Sequence, residues 1–300
     1  MRRVSYLYPA HGAFVAPARF RPQLWRLGLG IALCAALYAA VSVLVFMIAT
    51  LVLGGQDARD WIDGTEATPI GTLLLLSTFI GMAIGPFLAA RWLHKRPMLS
   101  LFGEARGFWT AFLWSVVICA GLYGLVALIP SDVRPAPNLS IEAWVVLLPV
   151  AVLGVLVQTG AEEVLFRGYI QQQLAARFAS PLIWMILPSV LFAMGHYQPD
   201  IMGDNAWIIV AAAAFFGILA ADLTARTGSI GAAWGFHFAN NSVAILFVAM
   251  DGPLAGLSLY TVPFAPMDTA EMRPLLYVNF VMMLITWGLI RLTLPRLMRR

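Results

Sequence analysis

Eight stretches of this chain are apolar over about the length of a membrane crossing, and this limits its fold more than any other feature. They run over 27–54, 69–90, 107–130, 143–166, 181–197, 207–225, 229–250 and 274–294, the fifth being the shortest. Lipid offers no partner to a backbone N–H or C=O, so a crossing segment must satisfy its own, and runs of this length do so as helices. Composition excludes a soluble alternative: 61% of residues are hydrophobic and 11% charged, where soluble chains carry roughly 25% charged. A water-soluble enzyme, a nucleic-acid-binding protein and a disordered chain are all ruled out. The expected fold class is an all-α polytopic membrane helical bundle of about eight transmembrane helices. Its first partner is the lipid bilayer, expected to be a bacterial inner membrane. No cleaved signal peptide is expected, because the first apolar run begins near Leu27 and is too long for one.

Charge orients the bundle. With the N-terminus in the cytoplasm, the outer loops hold only Arg59, Arg134 and Arg273 of the 19 Lys and Arg residues. That is a strong positive-inside bias, and it places both termini in the cytoplasm, which requires an even number of crossings. The net charge of +4 therefore reports topology and not an acidic partner. Four of the 15 acids fall outside the outer loops: Glu104, Glu162, Glu163 and Asp222. Asp222 precedes Arg226 by four residues and reads as a local salt bridge. Residues 1–26 form a basic cytoplasmic segment, of which 14–26 is expected to be a solvated lead-in, the alternative being a stretch lying along the inner membrane face. Residues 27–142 hold three helices without motifs, 143–250 the core that carries the polar motifs, and 251–300 an outer loop, the last helix and a basic tail. Cys34 and Cys119 sit in apolar runs and read as small buried hydrophobes. Gly81 and Gly85 form a small-x-x-x-small pattern that packs helices within the chain.

Polar residues inside a membrane are costly and need a reason. They cluster after residue 160. Glu162 and Glu163 are neighbours and point about 100° apart on a helix, so they cannot serve one point. Glu163 and Arg167 are four apart, acid before base, the favourable order for an ion pair. The plainer reading is that these residues end a span at the water interface. His196, with Phe192 a turn before it, closes the fifth run, and it reads plainly as a packing residue. His237 and Asn241 share a face in the seventh run, and Asn241 could simply bond a neighbouring helix. His11 and His94 lie in polar, basic flanks, so two of the four histidines are intramembrane. Glu, two His and Asn are the groups that hydrolysis by an activated water requires: a base for the proton and donors for an oxyanion. Two His and one Glu are also plausible zinc ligands.

In order, Glu162-Glu163-x-x-x-Arg167, Phe192-x-x-x-His196 and His237-x-x-x-Asn241 resemble the three signature motifs of the CPBP family. These are the CAAX-processing endopeptidases and their bacteriocin-processing relatives, also called the ABI family. The resemblance covers residues 162–241 and implies an all-helical intramembrane endopeptidase acting on a protein or peptide substrate. It implies that Glu162 is the essential carboxylate, that Glu163 and Arg167 order the helix, and that Phe192 gives structural support. His196 would act with Glu162 on the water, and His237 and Asn241 would stabilise the oxyanion. A zinc ion, if bound, would fall to Glu162, His196 and His237, leaving only Asn241 for the oxyanion and no separate base. A site without metal or other cofactor uses the four residues more fully and is the expectation. Glu162 lies near the inner end of its expected span and His196 near the outer end of its own, so the two must be brought to one depth. A cytoplasm-facing cavity would do this, with Tyr169 to Phe178 as an amphipathic inner-face helix. Two other functional classes use the same residues: a transporter or proton-coupled channel, and a non-catalytic immunity or scaffold protein. Transporters commonly repeat their polar interruptions in both halves, and this chain does not.

Overall fold

The computed structural model describes residues 8–54, 67–130 and 133–297. Of the charges that set the expected topology, Arg2, Arg3, Asp57, Arg59, Asp60, Asp63, Glu66, Asp132, Arg299 and Arg300 lie outside the described residues. Each of the eight apolar runs contains a helix. These are α1 (Leu24–Leu53), α2 (Pro69–Trp92), α3 (Phe108–Val126), α4 (Ile141–Arg177), α5 (Leu182–Met194), α6 (Ala206–Thr227), α7 (Gly231–Ser242) and α8 (Thr269–Leu297). The chain is an all-α integral membrane protein. Among the described residues six helices are long and apolar enough to cross a membrane alone; α5 and α7 are shorter. Helix α7 carries His237, Asn240, Asn241 and Ser242 and runs without a break into the π turn Val243–Phe247.

Helix α7 is the centre of the bundle, packed by α3, α4 and α6, whereas α1 lies on the periphery against α2. Close approach is set by missing side chains. A Cβ on Gly235 would stand 2.2 Å from the Phe112 carbonyl oxygen, and one on Gly231 2.5 Å from that of Phe108. Gly81 and Gly85 do the same between α2 and α1, against Leu37 and Cys34, so that pattern does pack helices within the chain. Cys34 and Cys119 are free and buried. Leu51, Leu128 and Val146 stand on the outer surface, where lipid would cover them. At one end of the bundle three two-residue strands, β1 (Ala136–Pro137), β2 (Val248–Ala249) and β3 (Tyr260–Thr261), tie the loops together in the order β1-β3-β2. β1 runs antiparallel to β3 and β2 parallel to it.

The other end differs from expectation in four ways, each for the same reason: polar groups find partners within the protein. The first part of the expected lead-in at 14–26 is not solvated, since Phe14, Val15 and Ala18 are buried and the Gln172 amide donates to the Phe14 carbonyl at 2.5 Å. Residues 169–177 are not a separate surface helix but continue α4, buried from Tyr169 to Leu174 and exposed only at Arg177. Gln171 donates to the Ala221 carbonyl at 3.1 Å, and Gln172 also receives Arg96. His94 is buried between the Arg21 carbonyl and the Tyr169 hydroxyl, each 2.9 Å away, and His11 is buried on Trp184. Asp222 does not pair with Arg226. Its carboxylate takes Arg291 at 2.6 Å, the Tyr8 hydroxyl at 2.8 Å and the Trp287 indole at 2.9 Å, binding α8 and the N-terminal stretch to α6.

Candidate active site

Helix α4 begins with a sequence-encoded cap, the Ser140 hydroxyl accepting the Ala143 N–H at 3.2 Å. From there it runs 37 residues to Arg177. Its expected end at 166 is therefore too early, and Glu162 lies near mid-helix. That removes the conflict of depth with α5. The second half of α4 carries Gln158, Glu162, Glu163 and Arg167, all buried. Immediately after Glu163 the helix widens into π turns over Val164–Gln171, a feature that often accompanies functional sites.

The two glutamates face different partners, as their 100° offset requires. Glu163 Oε1 accepts Arg167 Nη1 at 2.9 Å and faces His237 Nδ1, also at 2.9 Å. Arg167 Nη2 donates to the Gly217 carbonyl at 3.3 Å, and its guanidinium lies 4.9 Å from the Phe192 ring and 5.6 Å from that of Phe216. This buried cation is thus paired, hydrogen-bonded and stacked, as its removal from water demands. Glu162 Oε2 accepts the Gln158 amide at 2.5 Å and stands 3.4 Å from His237 Nε2. Gln158 Oε1 in turn accepts Asn241 Nδ2 at 3.1 Å. One polar chain therefore runs Asn241–Gln158–Glu162–His237–Glu163–Arg167 through the join of α4 and α7.

His196 stands beside this chain. Its ring lies 4.7 Å from that of Phe192, and the Phe192 ring lies 5.9 Å from that of His237. Phe192 is thus in ring contact with both histidines, and no hydrogen bond joins His196 to Glu162 among the described residues. Tautomers follow from the acceptors. His196 Nδ1 faces the Phe192 carbonyl at 3.0 Å and must carry the proton, and His237 Nδ1 must do so facing Glu163. Both rings then present Nε2 for chemistry.

That tautomer would suit metal ligation. Among the described residues, however, no three His, Cys, Asp or Glu side chains are gathered as metal ligands. Glu162 and His237 Nε2 meet, but a third donor does not join them. Gln158 was not singled out from the sequence. Its signal is an amide in an apolar run one turn before Glu162, which places the two on one face.

Residues 140–243 match the family described as type II CAAX prenyl endopeptidase Rce1-like. The chain is also similar to the uncharacterized protein YyaK of Bacillus subtilis (strain 168), 25% identical over 261 residues that cover 83% of this chain and 87% of that protein. No solved structure matches. Glu162, Glu163, Arg167, Phe192, His196, His237 and Asn241 all fall within residues 140–243, the stretch that is similar to the Rce1-like type II CAAX prenyl endopeptidases.

Proposed function

We propose that this protein is an intramembrane endopeptidase that hydrolyses a peptide bond of a protein substrate with water activated at Glu162. The observation that carries the reading is a buried carboxylate, free of any arginine of its own, facing a histidine Nε2 at 3.4 Å inside an Rce1-like domain. Glu163 supports the reading from the other side. It neutralises Arg167 and fixes the His237 ring, so Glu162 is left to the chemistry.

In the proposed reaction Glu162 takes a proton from water as the water oxygen attacks the scissile carbonyl carbon. His196, with Nδ1–H committed to a carbonyl, offers the Nε2 lone pair to hold that water. The carbonyl oxygen becomes an oxyanion and accepts from Asn241 Nδ2 and from His237, which donates through Nε2 in its doubly protonated form. That form also balances the buried charges of Glu162, Glu163, His237 and Arg167 to zero. The tetrahedral intermediate collapses, the C–N bond breaks, and the proton held on Glu162 passes to the leaving amine. Every step in this reading is carried by side chains.

The test compares the proteomes of membranes containing wild-type protein and Glu162→Gln. A precursor is expected to accumulate in the variant at unchanged protein level. With a peptide spanning that cleavage point, the purified variant is expected to lose at least about 100-fold in rate. Activity that disappears on chelation and returns with stoichiometric zinc would replace the metal-free reading. Full activity of Glu162→Gln would remove the assignment altogether.

A further inference from the structure

A second site lies away from the carboxylates, at the end of the bundle where α4 stops. A cavity of about 550 Å³ opens between the N-terminal stretch, the end of α4 and the start of α5. Its polar wall is Arg19, Arg177 and His11, its apolar wall Phe178 and Trp184, and no acidic residue lines it. Arg19 and Arg177 are exposed, and neither has an ion pair or hydrogen bond among the described residues. His11 is 8% exposed and stacked 4.3 Å from Trp184, and its Nδ1 is buried with no partner. The Tyr8 hydroxyl, also in the wall, is already committed to Asp222. The cavity therefore offers two unpaired cations and one orphaned imidazole nitrogen beside aromatic surface. A buried polar nitrogen without a partner is costly, and a ligand that accepts from it would remove the cost.

Location narrows the ligand. At 1.5 Å per residue, the 37 residues of α4 span about 55 Å. A bilayer with its headgroups is only about 40–45 Å thick. A helix that enters near Ser140 on one face therefore brings Arg177 to the headgroup layer of the other. We propose that this cavity binds the phosphate-bearing headgroup of an anionic phospholipid. The arginines take the phosphate oxygens, His11 supplies a neutral donor, and Phe178 packs the glycerol and the start of the acyl chains, with Trp184 buried behind His11. Basic pockets at this depth suit such headgroups. A zwitterionic lipid would bring an ammonium group to a pocket without a carboxylate. Free phosphate shares the polar chemistry but leaves the aromatic wall unused.

Native mass spectrometry of the full chain, delipidated in a neutral detergent, tests this. It is titrated with phosphatidylglycerol, phosphatidylcholine and inorganic phosphate in turn. One phosphatidylglycerol is expected to be retained, at least about tenfold more tightly than phosphatidylcholine. Arg19→Gln with Arg177→Gln is expected to remove that preference, and Arg177→Gln alone to lower it about threefold. Both arginines are exposed, so the fold is expected to persist; a thermal unfolding curve checks this, and the single variant serves if the double one misfolds. Equal retention of the two lipids overturns the proposal, as does an unchanged preference in a folded variant. Displacement of phosphatidylglycerol by millimolar inorganic phosphate would overturn the lipid reading in favour of a soluble phosphate compound.

Discussion

Glu163 is fully buried and shared by Arg167 and His237, whereas Glu162 beside it holds only the Gln158 amide and the edge of His237. Their substitutions should therefore separate. Glu163→Gln leaves Arg167 buried without a counter-charge, and breaking such a pair costs about 3–5 kcal/mol. Loss of folded protein and a lowered unfolding temperature are expected. Glu162→Gln exchanges one acceptor oxygen for an amide of the same shape, and its unfolding curve should stay close to wild type. Equal loss in both variants would contradict this division. A different prediction concerns His11. Burial, with the Arg19 charge second, lowers its pKa from 6.5 to about 4. The folded pKa lies below the unfolded one, so the contribution to stability is complete above about pH 6.5 and is lost as pH falls towards 4. Over that window the unfolded chain binds a proton that the folded chain refuses, costing up to about 3 kcal/mol. Unfolding curves in detergent from pH 7.5 to 4.5 should show this decline, and His11→Gln should flatten it.

At the scale of elements, the site is a crossing of α4 and α7 held by backbone contact rather than by large side chains. Gly235 touches the Phe112 carbonyl of α3, two residues before His237 on α7. In Gly235→Ala the new Cβ would have to push α7 off α3 and carry His237 and Asn241 with it. A loss of about 1–3 kcal/mol in stability and a clear fall in cleavage rate are expected. Gly124→Ala on α3 is the control: nothing lies within 4 Å of its Cβ, and a neutral or slightly stabilising effect is expected. The π turns at Val164–Gln171, Leu182–Ile186 and Val243–Phe247 border the motif helices. Hydrophobic periodicity did not reveal them, because one extra residue per turn leaves an apolar run apolar. They do rotate every residue that follows, which helps explain why Gln171, Gln172 and Gln173 face protein and not water.

For the whole molecule, the positive-inside bias of the sequence predicts both termini on the cytoplasmic side. Reporter fusions after Arg300 and within 57–66 should report opposite sides of the membrane, and the same side for both would break the eight-helix path. The amino-acid sequence by itself determined the solvent, the helical class, the eight apolar segments and the identity of the polar residues. Each of these follows from local properties: hydropathy over about 20 residues, charge at the loops, and spacing of four on a helix. Glu163–Arg167 was legible for that reason, being a contact within one turn. Gln158–Asn241, Glu163–His237 and Asp222–Arg291 were not, since each joins residues 69 to 83 positions apart that meet only after folding. Tertiary structure alone decided that His237 stands between Glu162 and Glu163 and that His196 stands in ring contact with Phe192 beside the chain. It also turned a stretch expected to be solvated into the wall of a pocket. The physical reason is common to all three: a buried polar group must find a partner, and which partner lies within 3 Å is fixed only when the helices have packed.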